Sequence, residues 1–226
     1  MANRIKLHPE TPHQKRVFEI ADEIKNNESV LLFPSDSQYA LGCDYKNKKG
    51  IDRIRQIRNM SKKDHLSVMC YSLQHVSTFA NLTDENFKLI KRLIPGPYTF
   101  ILPATREVPR LLVHPKKRTV GIRVPENQIC LDIIKAVGRP LTAITARLDD
   151  VEHGNPSDSN REMFLSRFDK LVDIIVDNQQ PLRSDQTTIV DLTGDRPALL
   201  RRGLGLERMS ETLAFLGHDL LESEAV

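Results

Sequence analysis

Strands of strand-only length alternating with helical segments predict an α/β protein: a twisted, open, mixed sheet with flanking helices, in a single domain. Two observations carry this. Apolar runs of four to six residues, bounded by Pro, Gly, Asn or charged residues, recur from Val30 onward and match buried strands. Between them, apolar residues repeat every three or four positions, the spacing of a helix with one buried face. At 226 residues the chain can build one large domain with a real core, or two small ones. No internal repeat or low-complexity tract interrupts it, and only the polar stretch Asp149–Asn160 reads as a mobile loop.

The elements follow in order. Thr11 reads as a helix N-cap, with Pro12 at the first helical position and Gln14 reaching back. Val17, Ile20, Ala21 and Ile24 then keep helical spacing up to Asn26-Asn27, and Val30–Phe33 is a strand stopped by Pro34. Ile51, Ile54 and Ile57 mark the next helix, with Arg53, Arg55 and Arg58 on its other faces, and Leu66–Met69 is a short strand. Thr83 opens a helix through Phe87, Leu89, Ile90 and Leu93, which Ile94-Pro95-Gly96-Pro97 closes. Tyr98–Leu102 and Thr119–Val124 read as strands, Gln128–Val137 as a helix and Leu141–Ala146 as a strand. A helix around Met163–Phe168, the strands Val172–Val176, Thr187–Asp191 and Ala198–Arg201, and an amphipathic helix Leu206–Leu216 complete the chain.

Composition narrows the function. A net charge of +3 permits phosphate ligands or RNA without demanding either. No apolar run reaches membrane-spanning length and no signal-peptide core opens the chain, so no membrane association is expected. Cys43, Cys70 and Cys130 are odd in number and widely spaced, which points to a reduced, cytoplasmic setting. The sequence contains neither a Gly-x-x-x-x-Gly-Lys-[Ser/Thr] phosphate loop nor a Gly-x-Gly-x-x-Gly turn after a strand. It has no Gly-x-Ser-x-Gly elbow, and its seven histidines show no close helical pairing, so no protein-held metal is expected. Aromatics are 5% of the residues with no Trp, which argues against single-strand recognition by base stacking.

The stretch from Leu31 to Asp44 is the most informative. A strand end at Pro34 is followed by Ser35, Asp36 and Ser37, then Tyr39 and Ala40-Leu41-Gly42. Hydroxyls, a carboxylate and main-chain N–H groups at a strand end suit a small polar ligand; the same residues also suit a turn that caps the next element. Elsewhere Arg58 ends a helix, where arginines are commonly solvated. Arg123 lies within the apolar strand Gly121-Ile122-Arg123-Val124-Pro125, where a charge is costly unless paired or facing a cleft. Thr187-Thr188-Ile189-Val190-Asp191 and Leu200-Arg201-Arg202-Gly203 add hydroxyls and cations near strand ends.

In this order the motifs resemble the YrdC/YciO family, nearest its YciO branch. The resemblance rests on Phe33-Pro34-Ser35-Asp36-Ser37-Gln38-Tyr39-Ala40-Leu41-Gly42-Cys43, on Ile94 through Leu102, on Val120 through Pro125, and on the last two motifs above. It spans roughly residues 14 to 203, so it implies a YrdC-like domain over 1–203 with a C-terminal helix and tail at 204–226. It also implies a concave, basic cleft. The best-characterised members condense ATP, bicarbonate and L-threonine into threonylcarbamoyl-adenylate, releasing pyrophosphate, for modification of tRNA. ATP with Mg²⁺ is the implied cofactor, since the pyrophosphate leaving group calls for a divalent cation.

Carried over by position, Ser35 stands where the family has Thr and, with Tyr39, would hold the amino acid. Arg58 stands at the Lys of a Lys-x-Arg pair and would contact phosphate; Thr145 stands at the Ser of Ser-x-Asn. Arg58 and Thr145 are thus the candidate catalytic residues, and Ser35, Tyr39, Thr99, Arg123, Arg147 and Arg201 the candidate substrate-binding ones. Met60 and Arg147 depart from the synthase signature, one losing a cation and the other replacing a neutral amide with one. A phosphate site with its charge conserved but its geometry altered is one expectation. The alternative is a non-catalytic module binding double-stranded RNA or tRNA through the basic concave face, helped by Lys62-Lys63 and Lys116-Lys117-Arg118. A third is a regulatory or ribosome-associated factor that keeps only the fold.

Overall fold

The computed structural model describes residues 1–61, 64–147 and 161–222. The expected loop Asp149–Asn160 and the pair Lys62-Lys63 lie outside the described residues. In chain order the first half holds β1 (Asn3–Lys6), α1 (Gln14–Asn26), β2 (Leu31–Phe33), β3 (Ala40–Asp44), α2 (Lys48–Ile57), β4 (Ser67–Met69), α3 (Leu73–Phe79), α4 (Asp84–Leu93) and β5 (Tyr98–Pro103). The second half holds β6 (Thr119–Arg123), α5 (Gln128–Val137), β7 (Leu141–Thr145), α6 (Arg161–Phe168), β8 (Ile174–Asp177), β9 (Thr188–Asp191), β10 (Ala198–Arg201), α7 (Leu206–Phe215) and β11 (Leu221–Glu222). The α/β class, the mixed sheet and the flanking helices are those the sequence predicts.

Two compact units interleave along the chain: residues 1–66 with 127–184, and residues 67–126 with 185–226. In the first unit the strand order is β1-β8-β2-β3-β7. β8 runs parallel to both β1 and β2, whereas β2–β3 and β3–β7 are antiparallel. Leu31, Leu32 and Phe33 are all buried, as are Ile174, Ile175 and Val176, so these strands read as continuous apolar runs without alternation. α1 buries Val17, Ile20, Ala21 and Ile24, and α5 buries Ile129, Cys130, Ile133, Ile134 and Val137. Both ends of α5 are written in the sequence. Asn127 Oδ1 accepts from the N–H of Cys130 at 3.0 Å, and Gly138 takes the left-handed conformation at φ 75°.

In the second unit the order is β4-β6-β5-β9-β10-β11. β5–β6 and β9–β10 are antiparallel; β4–β6, β5–β9 and β10–β11 are parallel. Thr83 caps α4 through the N–H of Asn86 at 3.2 Å, with Asp84 and Glu85 in the first turn and Lys91 and Arg92 in the last, each complementing the helix dipole. α7 packs on α4, with the Arg92 guanidinium 4.5 Å above the Phe215 ring.

One expected cap is corrected. α1 begins at Gln14 with His13 as N-cap, not at Thr11, and no side chain caps it. The reason is local: His8 Nδ1 lies 3.0 Å from the Thr11 hydroxyl and accepts the Thr11 N–H at 3.2 Å, tying Thr11 into the preceding turn. β1, β3, α3 and β11 are elements the sequence pattern does not announce. Among the described residues no helix is long and apolar enough to cross a membrane, and the three cysteines are buried with no disulfide among them.

Candidate functional site

Each unit carries its own cluster of expected site residues. In the first unit, Pro34 ends β2 and the chain turns into β3 on a bond from Ser35 Oγ to the Gln38 carbonyl at 2.6 Å. The Ser37 N–H points back at Ser35 Oγ at 3.4 Å, and Asn127 Nδ2 reaches the Ser35 carbonyl at 3.4 Å. Ser35 therefore builds the turn, its hydroxyl donating to the Gln38 carbonyl and accepting the Ser37 N–H on the same oxygen. Tyr39 follows. Its hydroxyl donates to Asn178 Oδ1 at 2.9 Å and accepts the Asn178 N–H at 3.3 Å, a two-bond clasp to the residue just after β8. Its ring meets Phe164 edge-on, with centroids 5.7 Å apart. Burial pushes the Tyr39 phenol up to about 12, Asp177 adding to the shift while the Asn178 N–H and Arg161 oppose it. The phenol is thus a neutral donor. Pro34, Ser35, Tyr39, Asn127, Asn178 and Gln180 line a cavity of about 340 Å³, large enough for an amino acid with part of a nucleoside.

Thr145 lies opposite Ala40 on the β3–β7 ladder, and the next N–H, that of Ala146, bonds to the Tyr39 carbonyl at 2.8 Å. Ladder pairing therefore brings Thr145 beside the Tyr39 segment. Arg58 is placed by the end of α2. Asn59 sits in the left-handed region at φ 44°, its N–H bonds to the Gln56 carbonyl at 3.1 Å, and the Met60 N–H bonds to the Arg55 carbonyl at 2.9 Å. This is a Schellman closure with Asn in the usual Gly position. It leaves the Arg58 side chain to extend from the helix end, where Nη1 donates to the Arg147 carbonyl at 3.1 Å. The Arg147 side chain is exposed. Arg58 and Arg147 are thus neighbours through main chain, whereas Met60 is half-buried.

In the second unit Arg201 anchors a hydroxyl cluster. Its Nε donates to the Thr187 carbonyl at 2.9 Å and its Nη2 to Thr187 Oγ1 at 2.7 Å. Thr187 Oγ1 in turn lies 3.5 Å from Thr99 Oγ1. The register of β10 on β9 shifts between Leu199 and Arg201, a bulge that re-aims the Arg201 side chain. Gly203 makes the cluster possible: a Cβ there would stand 2.4 Å from the Gln186 carbonyl oxygen and 2.5 Å from the Thr187 carbonyl carbon. Arg123 is buried at the end of β6, and Thr99 and Arg123 flank the Phe100–Ile122 pair, so alternation sends both to one face. Ser67 joins them, since its Oγ would lie 3.2 Å from a Cβ at Gly121.

From sequence, Thr187 stands inside a motif without a role of its own. Asn178 and Asn127, which clasp Tyr39 and Ser35, are not among the residues that sequence reasoning selects. Asn127 announces itself as a helix cap; Asn178 gives only the weak signal of a polar residue ending an apolar strand. The thiols of Cys43 and Cys70 are held well above their ordinary range by burial, so neither is a nucleophile.

A sequence profile of the Sua5/YciO/YrdC family, described as "Telomere recombination", matches residues 23–203. The YciO protein of Escherichia coli K12 is 37% identical over 199 residues, 88% of this chain and 94% of that protein. A Haemophilus influenzae protein is 40% identical over the same shares. Threonylcarbamoyl-AMP synthase of Pyrococcus abyssi is 28% identical over 186 residues, which are 81% of this chain and 53% of the synthase. Among solved structures, the crystal structure of E. coli YciO superposes with a TM-score of 0.82 at 35% identity, covering 90% of this chain and 97% of that one. P. abyssi Sua5 complexed with L-threonine superposes with a TM-score of 0.80 at 24% identity, covering 97% and 62%, a likeness of fold. From residue 23 to residue 203, then, the chain belongs to the Sua5/YciO/YrdC family.

Proposed function

We propose that the protein binds ATP and condenses it with an amino-acid carbamate, forming an aminoacyl-carbamoyl adenylate of the threonylcarbamoyl type and releasing pyrophosphate. The observation that carries this is the first unit's cavity of about 340 Å³, where a turn hydroxyl and a clasped, neutral tyrosine face a space of amino-acid to nucleoside size. In the reaction, bicarbonate and the amine of L-threonine form a carbamate with loss of water, and a carbamate oxygen attacks the α-phosphorus. A carbamate O–P bond forms, the bond to the β-phosphate bridge breaks, and pyrophosphate takes the electron pair. Negative charge grows on phosphate oxygens, which guanidinium groups stabilise. Arg58 and Arg147 are the cations assigned to phosphate, Thr145 the hydroxyl beside them, and Ser35 and Tyr39 the amino-acid contacts. Thr99, Arg123 and Arg201 supply hydroxyl and guanidinium groups suited to a carboxylate, Arg123 and Arg201 through planar, two-pronged donors.

Among the described residues no group of three or more His, Cys, Asp or Glu converges on one point. Mg²⁺ would arrive on the triphosphate, whose oxygens are the hard ligands it prefers. Bound there, it would neutralise the leaving pyrophosphate.

The test is pyrophosphate release from ATP, Mg²⁺ and bicarbonate, with and without L-threonine, alongside Arg58→Ala. Threonine-dependent release that disappears in the variant establishes the reaction. ATP binding without release would leave a nucleotide-binding protein with no synthase activity, and loss of both would overturn the proposal.

A further inference from the structure

A second cavity, of about 330 Å³, opens within the second unit where β5 and β9 end. The Thr99–Thr187–Arg201 cluster sits at the starts of β5 and β9, so the two lie at opposite ends of one parallel strand pair. The floor of this cavity is apolar: Leu89 of α4, Leu192, Pro197 and Leu213 of α7 are all buried. Its rim is polar and acidic, with the carboxylates of Glu85 and Asp195, the amides of Asn81 and Asn86, and the imidazole of His218. An apolar hollow of this size with a few converging polar groups is the make-up of a small-molecule site.

Three local closures fix its walls. Asn86 Nδ2 donates to the Leu192 carbonyl at 3.0 Å, tying the first turn of α4 to the end of β9. Asp191 Oδ1 accepts both the N–H and the hydroxyl of Thr193, at 2.9 and 2.6 Å, which shapes the turn that carries Asp195. α7 ends in a Schellman motif with Gly217 left-handed at φ 76°. The Gly217 N–H bonds to the Ala214 carbonyl at 3.1 Å and the His218 N–H to the Leu213 carbonyl at 3.0 Å, which delivers His218 to the rim. Walls held in this way have little ordering cost left to meet when a ligand enters.

We infer that this cavity binds a small organic cation: an alkylamine with no carboxylate or phosphate of its own. The floor takes the alkyl body and the rim takes the ammonium. Charge selects the sign. Neither Lys88 nor Arg196, the cations nearest in sequence to the two rim carboxylates, lines the cavity. Glu85 Oε2 lies 4.0 Å from His218 Nε2, beyond hydrogen-bond reach. Asp195 makes no ion pair or hydrogen bond through its side chain among the described residues. The start of α4 would by itself favour an anion. There, however, Thr83 Oγ1 takes the Asn86 N–H at 3.2 Å, and Asp84 and Glu85 already meet the helix dipole. An ammonium brings three donors, and Asn86, which spends only its Nδ2 on Leu192, keeps its carbonyl oxygen as a further acceptor. ATP, bicarbonate and L-threonine each carry an anionic group, so this cavity is no subsite of the proposed adenylate reaction and the inference stands apart from it.

The test is an NMR titration of the isotope-labelled full chain at about pH 8, where an imidazole is neutral. The probes are 3-methylbutylamine, 3-methylbutan-1-ol and 3-methylbutanoate, which share one branched body and carry a positive, a neutral and a negative head. The amine should give saturable shifts of the Asn86, Thr193, Gly194 and Asp195 amide signals. It should bind about fivefold or more tighter than the alcohol, and the carboxylate should not bind. The paired variant Glu85→Gln, Asp195→Asn should lose about fivefold or more in amine affinity and nothing in alcohol affinity. Both side chains are exposed, so its thermal unfolding should match the parent's. Asp195→Asn alone, in a turn, repeats the comparison without touching α4. No saturable shift at the cavity, equal binding of amine and alcohol, a preference for the carboxylate, or amine affinity unmoved by the paired variant would each overturn the inference. Pyrophosphate release reports only the adenylate reaction, so either proposal can fail without the other.

Discussion

Arg58 and Arg147, 89 positions apart, meet through a guanidinium-to-carbonyl hydrogen bond of 3.1 Å, and the Arg147 side chain takes no part in it. That geometry divides the two residues' contributions. Arg58→Ala should weaken ATP binding by about tenfold or more, the scale of one hydrogen bond to a charged group. Arg147→Ala keeps the carbonyl and so leaves Arg58 oriented. If the Arg147 guanidinium replaces the cation that Met60 lacks, ATP affinity should still fall several-fold. Isothermal titration of both variants decides it; unchanged affinity in Arg147→Ala would assign that residue a main-chain role only.

Tyr39 makes stability depend on alkaline pH. Its phenol ionises near 10 when exposed and only near about 12 in the fold. Between those values the unfolded chain has released a proton that the folded chain retains, so stability falls as pH rises, by up to about 1.4 kcal/mol per pH unit. Tyr39→Phe removes this contribution. Urea unfolding between pH 9 and 12 should show a shallower decline for the variant, set against a cost near neutrality of about 1–3 kcal/mol for the unpaired Asn178 groups. Parallel declines would mean that Tyr39 is not the group responsible.

Gly203 tolerates no side chain. A Cβ would collide with main-chain atoms of Gln186 and Thr187, which cannot rotate away. Gly203→Ala should cost at least about 2 kcal/mol, within the range for overpacking a close approach. It should also disturb the Arg201–Thr187 bonds, so thermal unfolding would shift down together with any loss of carboxylate or phosphate binding. A variant as stable as the parent would show that the strands can separate there without penalty.

Asn59 closes α2 in a left-handed conformation that few residues accept. Asn59→Gly should be neutral or mildly stabilising, whereas Asn59→Val should cost about 1–2 kcal/mol. The more telling readout is function. If the closure aims Arg58, the Val variant should bind ATP less tightly than the Gly variant.

Much of this fold is written plainly in the sequence. The helices α1, α4 and α5 each show their buried face by spacing, and Thr83 marks a helix start that the structure confirms. β3 does not show itself, because all five of its residues are buried and so lack the alternation that identifies a half-buried strand. Thr11 misleads because His8, three residues earlier, competes for the same hydroxyl, a local contest that cap statistics do not resolve. The strand-end motif around Ser35 is legible as a polar cluster. Its partners are not: Asn178 lies 139 positions from Tyr39, and Asn127 lies 92 from Ser35.

The position of β8 bears on how the chain is made. β8 is hydrogen-bonded between β1 and β2, yet it is residues 174–177, whereas its neighbours end by residue 33. A chain growing at roughly 5–20 residues per second emerges with its first two strands lacking the strand that joins them for on the order of ten seconds. During that interval the apolar Leu31–Phe33 segment has only its hairpin partner β3. Newly made protein should therefore depend more on chaperones, and be more open to proteolysis, than its finished stability would suggest.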